Sequence, residues 1–321
     1  MPLLEVENLK MYYELTGKRH VRAVDDVSLS LEKGASLGIV GESGCGKSSL
    51  AITIMRLLPV NAKVLGGQIK LCGRDVLTLP ESELRAEIRW KRISIVFQGA
   101  MNVLNPVHKI GDQVAEAIVA HDGKTKKEAR ERVKELLSLV GIDPSRAKDY
   151  PHEFSGGMRQ RTVIATALAL NPDIVIADEP TTALDLVVQA QVLKLLKDLK
   201  ERMGLSLILI SHDVSIISEM SDNVAVMYAG RIVEYGNSMD VFLKPIHPYT
   251  VGLLAAVPSI KGKKQRLESA RGLPPNLANL PRGCKFADRC AYAKPECLSL
   301  EPALERVGKD HYVRCHGMTR G

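Results

Sequence analysis

Ala35-Ser-Leu-Gly-Ile-Val-Gly-Glu-Ser-Gly-Cys-Gly-Lys-Ser48 decides the fold. An apolar run, Ala35 to Val40, leads straight into the glycine-rich stretch Gly41 to Ser48, and helical spacing then runs from Lys47 to Leu58 before Pro59. That order is a strand–loop–helix unit. Gly41-x4-Gly46-Lys47-Ser48 has the Walker A spacing. Glycines let backbone N–H groups close around phosphates, and the helix N-terminus adds a favourable dipole. Lys47 supplies a point charge for the β- and γ-phosphates, and Ser48 a hydroxyl for Mg²⁺. Gly41, Ser43, Gly44, Cys45, Gly46, Lys47, Ser48 and Ser49 are therefore the candidate nucleotide-binding residues of the loop.

Outward from this loop the chain alternates. Short β-like runs precede it (Leu3 to Leu9, Ala23 to Leu31), with turns at Gly17 and Glu32-Lys-Gly34. Gln68 to Cys72 and Ile93 to Phe97 read as strands around a charged helix, Glu81 to Arg92. From about Pro106 to Leu170 the pattern is helical, with an amphipathic stretch from Lys124 to Val140. After Asp173 come a strand Ile174 to Ala177, a helix Leu186 to Met203, a strand Leu205 to Ile210, a helix from Val214 and a strand Asn223 to Met227. A hairpin follows through Ala229-Gly230-Arg231. Strands alternating with helices imply a mainly parallel sheet with covered faces, into which the helical middle is inserted. Ile174-Val-Ile-Ala-Asp178-Glu179 is an apolar strand ending in two carboxylates. At the sheet's C-terminal edge Asp178 can hold Mg²⁺ and Glu179 can polarise an attacking water.

The 321 residues suffice for one large domain and a smaller appendage. No apolar run approaches the ~18 residues that span a bilayer. Met1-Pro-Leu-Leu-Glu lacks a basic segment followed by an apolar one, so no signal peptide and a cytoplasmic location are expected. The net charge of +7 is uneven: residues 244–321 carry 14 Lys and Arg against 6 Asp and Glu, which leaves the first 243 near neutral. Without interleaved aromatics or a recognition motif, this basic tail does not point to nucleic acid. Prolines 245, 248, 258, 274, 275 and 281 break regular structure, and a boundary is expected near 240–260. Four of the six cysteines, Cys284, Cys290, Cys297 and Cys315, lie in this tail. Four thiolates suit a [4Fe–4S] cluster or tetrahedral Zn²⁺, and the short paired spacing usual for zinc is absent. An anionic cluster also suits neighbouring Lys285, Arg289 and Arg314. Free thiols remain an alternative.

Phe154-Ser-Gly-Gly-Met-Arg-Gln160, taken with the Walker A loop and the Asp178-Glu179 strand, resembles the ABC-transporter ATPase family over residues 3–240. A Ser-Gly-Gly before a helix would otherwise read as a cap. Gln98 resembles the family's Q-loop glutamine, Thr182-Ala-Leu-Asp185 its D-loop, His212 its switch histidine and Tyr13 the aromatic that stacks on adenine. The resemblance implies an α/β P-loop NTPase core with a parallel sheet, an antiparallel β subdomain and an inserted helical subdomain at about 100–170. It implies head-to-tail pairing of two such subunits, with Ser155, Gly156, Gly157, Met158 and Asp185 acting on the partner's nucleotide. Lys47, Glu179 and His212 would be catalytic, and Ser48, Gln98 and Asp178 would hold Mg²⁺. Met158 stands where the family's commonest signature has Gln, and a thioether is at best a weak acceptor.

His247-Pro-Tyr-Thr250, Gly272-Leu-Pro-Pro-Asn276, Gly283-Cys-Lys-Phe-Ala-Asp-Arg-Cys290 and Asn102-Val-Leu-Asn-Pro106 resemble the oligopeptide/dipeptide subfamily, D-type subunit. Gln98-Gly-Ala100 departs from its usual Gln-Asp-Pro. This narrower resemblance implies a nucleotide-binding domain at 1–240 and an extension at 241–321, a small cysteine-rich metal-cluster domain. It implies ATP, Mg²⁺ and a [4Fe–4S] cluster, with zinc as the alternative. The implied partners are a second, distinct ATPase in a heterodimer, two membrane permease subunits and an extracellular substrate-binding protein. The subunit would sit at the cytoplasmic face of the membrane, touching it only through partners. The implied role is to energise import of di- or oligopeptides. An importer of oligosaccharides is the alternative, and a soluble ABC ATPase the distant one.

Overall fold

The computed structural model describes residues 2–17, 19–99, 103–256 and 272–317. Ala100, Asn102 and Pro258, which belong to the motifs and the proline-rich stretch above, lie outside them. In chain order the elements are β1 (Leu4–Leu15), β2 (Arg19–Leu31), β3 (Ser36–Val40), α1 (Lys47–Ile54), β4 (Ala62–Leu71), β5 (Arg74–Asp75), α2 (Glu81–Glu83), β6 (Ile93–Val96), α3 (Ile110–Asp122), α4 (Lys126–Leu139) and α5 (Gly156–Ala167). Then come β7 (Ile174–Asp178), α6 (Leu186–Met203), β8 (Ser206–Ser211), α7 (Val214–Met220), β9 (Asn223–Tyr228), β10 (Arg231–Asn237), α8 (Ser238–Leu243), α9 (Pro248–Ala255), α10 (Pro295–Ser299), β11 (Glu305–Gly308) and β12 (His311–Val313). The chain divides into two compact units. The first comprises Met1–Glu32, Ser36–Leu77 and Leu209–Gly321, the second Lys33–Ala35 and Thr78–Ile208.

In the first unit β1 pairs antiparallel with both β2 and β4, giving the sheet order β2-β1-β4-β5. Elsewhere in this unit β3 lies parallel to β9, with Leu37 opposite Asn223 and Val40 opposite Val226. All five residues of β3 are buried, as expected for a strand covered on both faces. Each buried Leu, Ile or Val contributes ~1.5–3 kcal/mol. Helix α7 comes so close that a Cβ on Gly38 would sit 2.3 Å from Ile217 Cγ2. β10 is antiparallel to β9, and the cysteine-bearing tail adds β12 against β10 and β11 against β12. That pairing is why residues beyond 240 belong to this unit. Two buried polar knots fix it. Asp25 accepts from Arg231 at 2.7 and 3.1 Å and from Tyr12 Oη at 2.6 Å. Glu234, fully buried, accepts the N–H groups of Ile246 and His247 and meets His311 Nε2 at 2.8 Å. Such charges are tolerable inside because every one is paired.

In the second unit β6 and β7 run parallel, Ile93 opposite Ile174 and Val96 opposite Ala177. Helices α3, α4 and α5 supply the expected helical middle, and α6 spans Leu186–Met203 as its spacing predicts. α4 starts in a capping box in which Thr125 and Glu128 satisfy each other's N–H groups. The helix expected over Glu81 to Arg92 is shorter: α2 passes into a π-turn, Leu84–Ile88. The chain must reverse to enter β6, and Trp90 makes that reversal with φ of 70°.

Candidate nucleotide-binding loop, carboxylate strand and cysteine cavity

The phosphate loop belongs to the first unit. Its glycines are required by close approach: a Cβ on Gly41 would lie 2.1 Å from Met227 O, and one on Gly46 2.0 Å from Ala23 O. Gly46 also has φ of 111° and begins α1. Lys47 is 6% exposed, and its ammonium donates to the carbonyls of Gly41 at 2.7 Å and Glu42 at 2.9 Å. The charge is thus fixed inside the loop it serves. Ser43, Gly44 and Ser48 are exposed, and Ser49 Oγ lies 3.1 Å from Tyr13 Oη. Cys45 is buried, and burial pushes its thiol up, so it is an inert wall of the loop. His212 is exposed after β8, and Asp213 beside it caps α7 by accepting from Ser215 N–H.

Glu42 is the best-held residue of this loop. Its N–H donates to Tyr249 Oη at 2.9 Å, and its carboxylate receives both terminal nitrogens of Arg289 at 2.8 Å. That bidentate grip raises the Arg289 titration above the ordinary guanidinium value. Sequence reasoning missed this pair because 247 positions separate its members. The only signal was that Tyr249 and Arg289 lie within two of the C-terminal motifs.

The second unit carries Asp178, Glu179, Gln98, the segment Ser155–Met158 and Asp185. Asp178 closes the fully buried strand β7. Glu179 follows with φ of 47°, a left-handed conformation costing ~1–3 kcal/mol in a non-glycine residue. One oxygen, Oε2, accepts from Gln98 Nε2 at 3.1 Å and Thr182 Oγ1 at 2.9 Å. A strained backbone and two donors fix the direction of this carboxylate. Ser155 caps α5 through Met158 N–H at 3.3 Å, and Asp185 caps α6 through Val188 N–H at 2.9 Å. The two helix starts approach so closely that a Cβ on Gly157 would be 2.6 Å from Val188 Cγ1. Arg146 anchors the signature segment, lying over the Phe154 ring at 4.8 Å and donating to Glu153 O at 3.0 Å.

The four C-terminal cysteines line one cavity of about 480 Å³ in the first unit, together with Phe286, Tyr292 and Lys294. Backbone N–H groups reach every sulfur: Phe286 to Cys284, Tyr292 to Cys290, Lys294 to Cys297 and Gly317 to Cys315. A Cβ on Gly283 would lie 2.2 Å from Cys297 O, so only glycine fits there. Burial pushes the Cys284 thiol up to about 11 and raises Cys290 and Cys315. Among the described residues no three His, Cys, Asp or Glu side chains converge tightly enough to hold a metal ion. The expected use of the basic residues is corrected. Lys285 pairs with Glu301 at 3.0 Å, Arg289 with Glu42 and Arg314 with Asp26 at 3.1 Å. They neutralise carboxylates elsewhere, because a buried cation needs a partner of its own.

The family described as "ABC transporter" matches residues 24–182, and "Oligopeptide/dipeptide transporter, C-terminal region" matches residues 233–297. The oligopeptide transport ATP-binding protein AppD of Bacillus subtilis is 45% identical over 316 residues, 98% of this chain and 96% of the relative. This chain belongs to the ABC-transporter ATP-binding family, in its oligopeptide/dipeptide branch. Oligopeptide transport ATP-binding protein OppD of Escherichia coli is 46% identical over 94% of this chain and 90% of its own length. Dipeptide transport ATP-binding protein DppD of B. subtilis is 47% identical over 98% and 94%. Among solved structures, the dimeric ATP-binding cassette MJ0796 with ADP and Pi matches with a TM-score of 0.64 at 29% identity, over 73% of this chain and 98% of that one. The C-terminal family match ends at Cys297, and Cys315 lies beyond it. Among the described residues no helix is long and apolar enough to cross a membrane.

Proposed function

We propose that this chain binds and hydrolyses ATP to energise an importer of di- and oligopeptides. The observation that carries the reading is near-full-length identity to peptide-transport ATP-binding proteins, joined to an intact phosphate loop around Lys47. Gly41, Ser43, Gly44, Cys45, Gly46, Lys47, Ser48 and Ser49 bind the phosphates, and Tyr13 stacks on the base. The oxygen donors Ser48, Asp178 and Gln98 suit Mg²⁺, which would neutralise phosphate charge. Glu179 orients and polarises the attacking water, and His212 meets the γ-phosphate. Residues 1–240 carry these groups, and 241–321 form the extension. Ser155, Gly156, Gly157, Met158 and Asp185 act on the nucleotide of a partner ATPase, the two making a heterodimer. Two permease subunits and a substrate-binding protein complete the assembly at the cytoplasmic face. The relatives above are peptide-transport proteins, and none favours an oligosaccharide. The test is Mg²⁺-dependent ATP hydrolysis by the reconstituted transporter with its binding protein. Stimulation by a peptide panel is expected; stimulation by oligosaccharides alone overturns the substrate class.

The cysteine cavity fits a [4Fe–4S] cluster better than zinc. Four sulfurs line a space larger than one ion needs, and the short paired cysteine spacing usual for zinc is absent. Cys284, Cys290, Cys297 and Cys315 would ligate it, and the backbone N–H groups at the sulfurs would tune its potential. Its contribution would be to staple the extension. Iron and sulfide analysis of anaerobically purified protein tests this; stoichiometric zinc without iron overturns it.

A further inference from the structure

The geometry points to Arg289 and Tyr249 as positioning residues that set the affinity of the phosphate loop for nucleotide. Both come from the C-terminal extension, and both act through Glu42. The loop needs its backbone N–H groups aimed at the phosphates, yet a run of glycines has the largest conformational freedom to lose. Cys45 O takes one backbone anchor from outside the run, Gly230 N–H at 2.8 Å, and Glu42 takes the side-chain anchors from the extension. Tyr249 Oη, on a side chain that is fully buried, takes its N–H. Arg289, 7% exposed, takes its carboxylate with two bonds. Inside the loop, Lys47 Nζ and Cys45 N–H take its carbonyl, at 2.9 and 3.3 Å. The peptide unit beside Gly41 is therefore held on every side before nucleotide arrives.

The anchors are themselves rigid. Tyr249 packs against Tyr228 at 4.6 Å and Phe286 at 5.5 Å between ring centroids. Arg289 lies 5.6 Å from the Tyr228 ring and donates to its hydroxyl at 3.3 Å. Phe286 lines the cysteine cavity, and Arg289 directly precedes Cys290. One aromatic wall thus serves cavity and loop. Coupling is reciprocal, so nucleotide on the loop also steadies the segment that bears the cysteines. A preorganised loop binds with less ordering cost, and its loss appears in affinity and KM before it appears in turnover.

This inference rests on the ATP-binding reading above, and the experiment separates the two. Fluorescent-ATP titration compares the full-length parent, Lys47→Ala, Tyr249→Phe, Glu42→Gln, Arg289→Gln and the Glu42→Gln/Arg289→Gln double variant. Tyr249→Phe keeps the ring that the core needs and removes only the acceptor. It is expected to weaken ATP binding about five- to tenfold, the scale of one hydrogen bond. Glu42→Gln should do the same or more, and the double variant should add nothing to it, since both break one pair. In the assembled transporter KM for ATP should rise by more than kcat falls. Hydrogen exchange in peptides covering 284–290 should slow on adding ATP to the parent and not to Tyr249→Phe. ATP affinity within twofold of the parent for both Tyr249→Phe and Glu42→Gln overturns the inference while the parent still binds. A parent that binds no ATP, or as weakly as Lys47→Ala, overturns the functional reading instead.

Discussion

The phosphate loop draws its working groups from nine consecutive residues, 41–49, whereas the cysteine cavity draws on residues from 246 to 317. The loop is bounded by a buried strand and a helix, so local geometry aims its groups. The cavity is assembled from separated pieces: the start of α9, short turns and α10 bring its walls together. Where regular hydrogen bonding fixes the backbone, a short motif specifies a site. Where a site is assembled from separated pieces, long-range contacts specify it.

The contrast can be broken by substitutions that should act on one region only. The largest effect is expected at Glu179→Gln, which removes the carboxylate proposed to polarise water. Turnover should fall about 10²–10⁴-fold while ATP binding persists and nucleotide is trapped; unchanged steady-state hydrolysis would reassign the base. Lys47→Ala removes a charge-assisted donor, and ATP affinity should drop about 10- to 100-fold with iron content unaltered. Cys297→Ser should act the other way round. On the proposed cluster, iron should fall from about four atoms per chain toward none, and the thermal midpoint should drop. A variant that keeps its iron refutes the ligand assignment.

A smaller effect concerns pH. Burial lowers the His247 titration from 6.5 to about 3, and the neutral ring accepts the Tyr249 N–H at Nδ1. Between those pH values the unfolded chain binds a proton that the folded chain excludes. Stability is therefore complete above about 6.5 and declines as pH falls toward 3, by at most ~1.4 kcal/mol per pH unit. Urea midpoints at pH 7.5 and 5.5 should show this slope, and His247→Gln should flatten it. An unchanged slope would mean that other groups carry the acid sensitivity.

Much of the fold was legible because buried strands and amphipathic helices leave periodic signals. The helix Leu186–Met203 matches its expected limits, and the strands β3, β7 and β9 lie where apolar runs placed them. The charged stretch Glu81 to Arg92 was less legible. Its composition favours a helix, and a chain reversal at Trp90 overrides it. Ser155 and Asp185 were read as dimer residues, Ser155 also as a cap; within the chain both are caps. The basic residues around the cysteines misled, because proximity in sequence said nothing about which carboxylate each would meet.

By itself the sequence determined the phosphate loop, the carboxylate strand, the α/β alternation and the four candidate thiols. Each is written in neighbouring residues or in a fixed spacing, and local hydrogen bonding and burial turn that into structure. Only the tertiary structure decided that the C-terminal extension adds strands to the first unit. It alone gathered the four sulfurs around one cavity and handed Glu42 of the loop to Tyr249 and Arg289. The Glu42 pairings join residues more than 200 positions apart. They arise from packing, and packing leaves no mark in the order of the residues it unites.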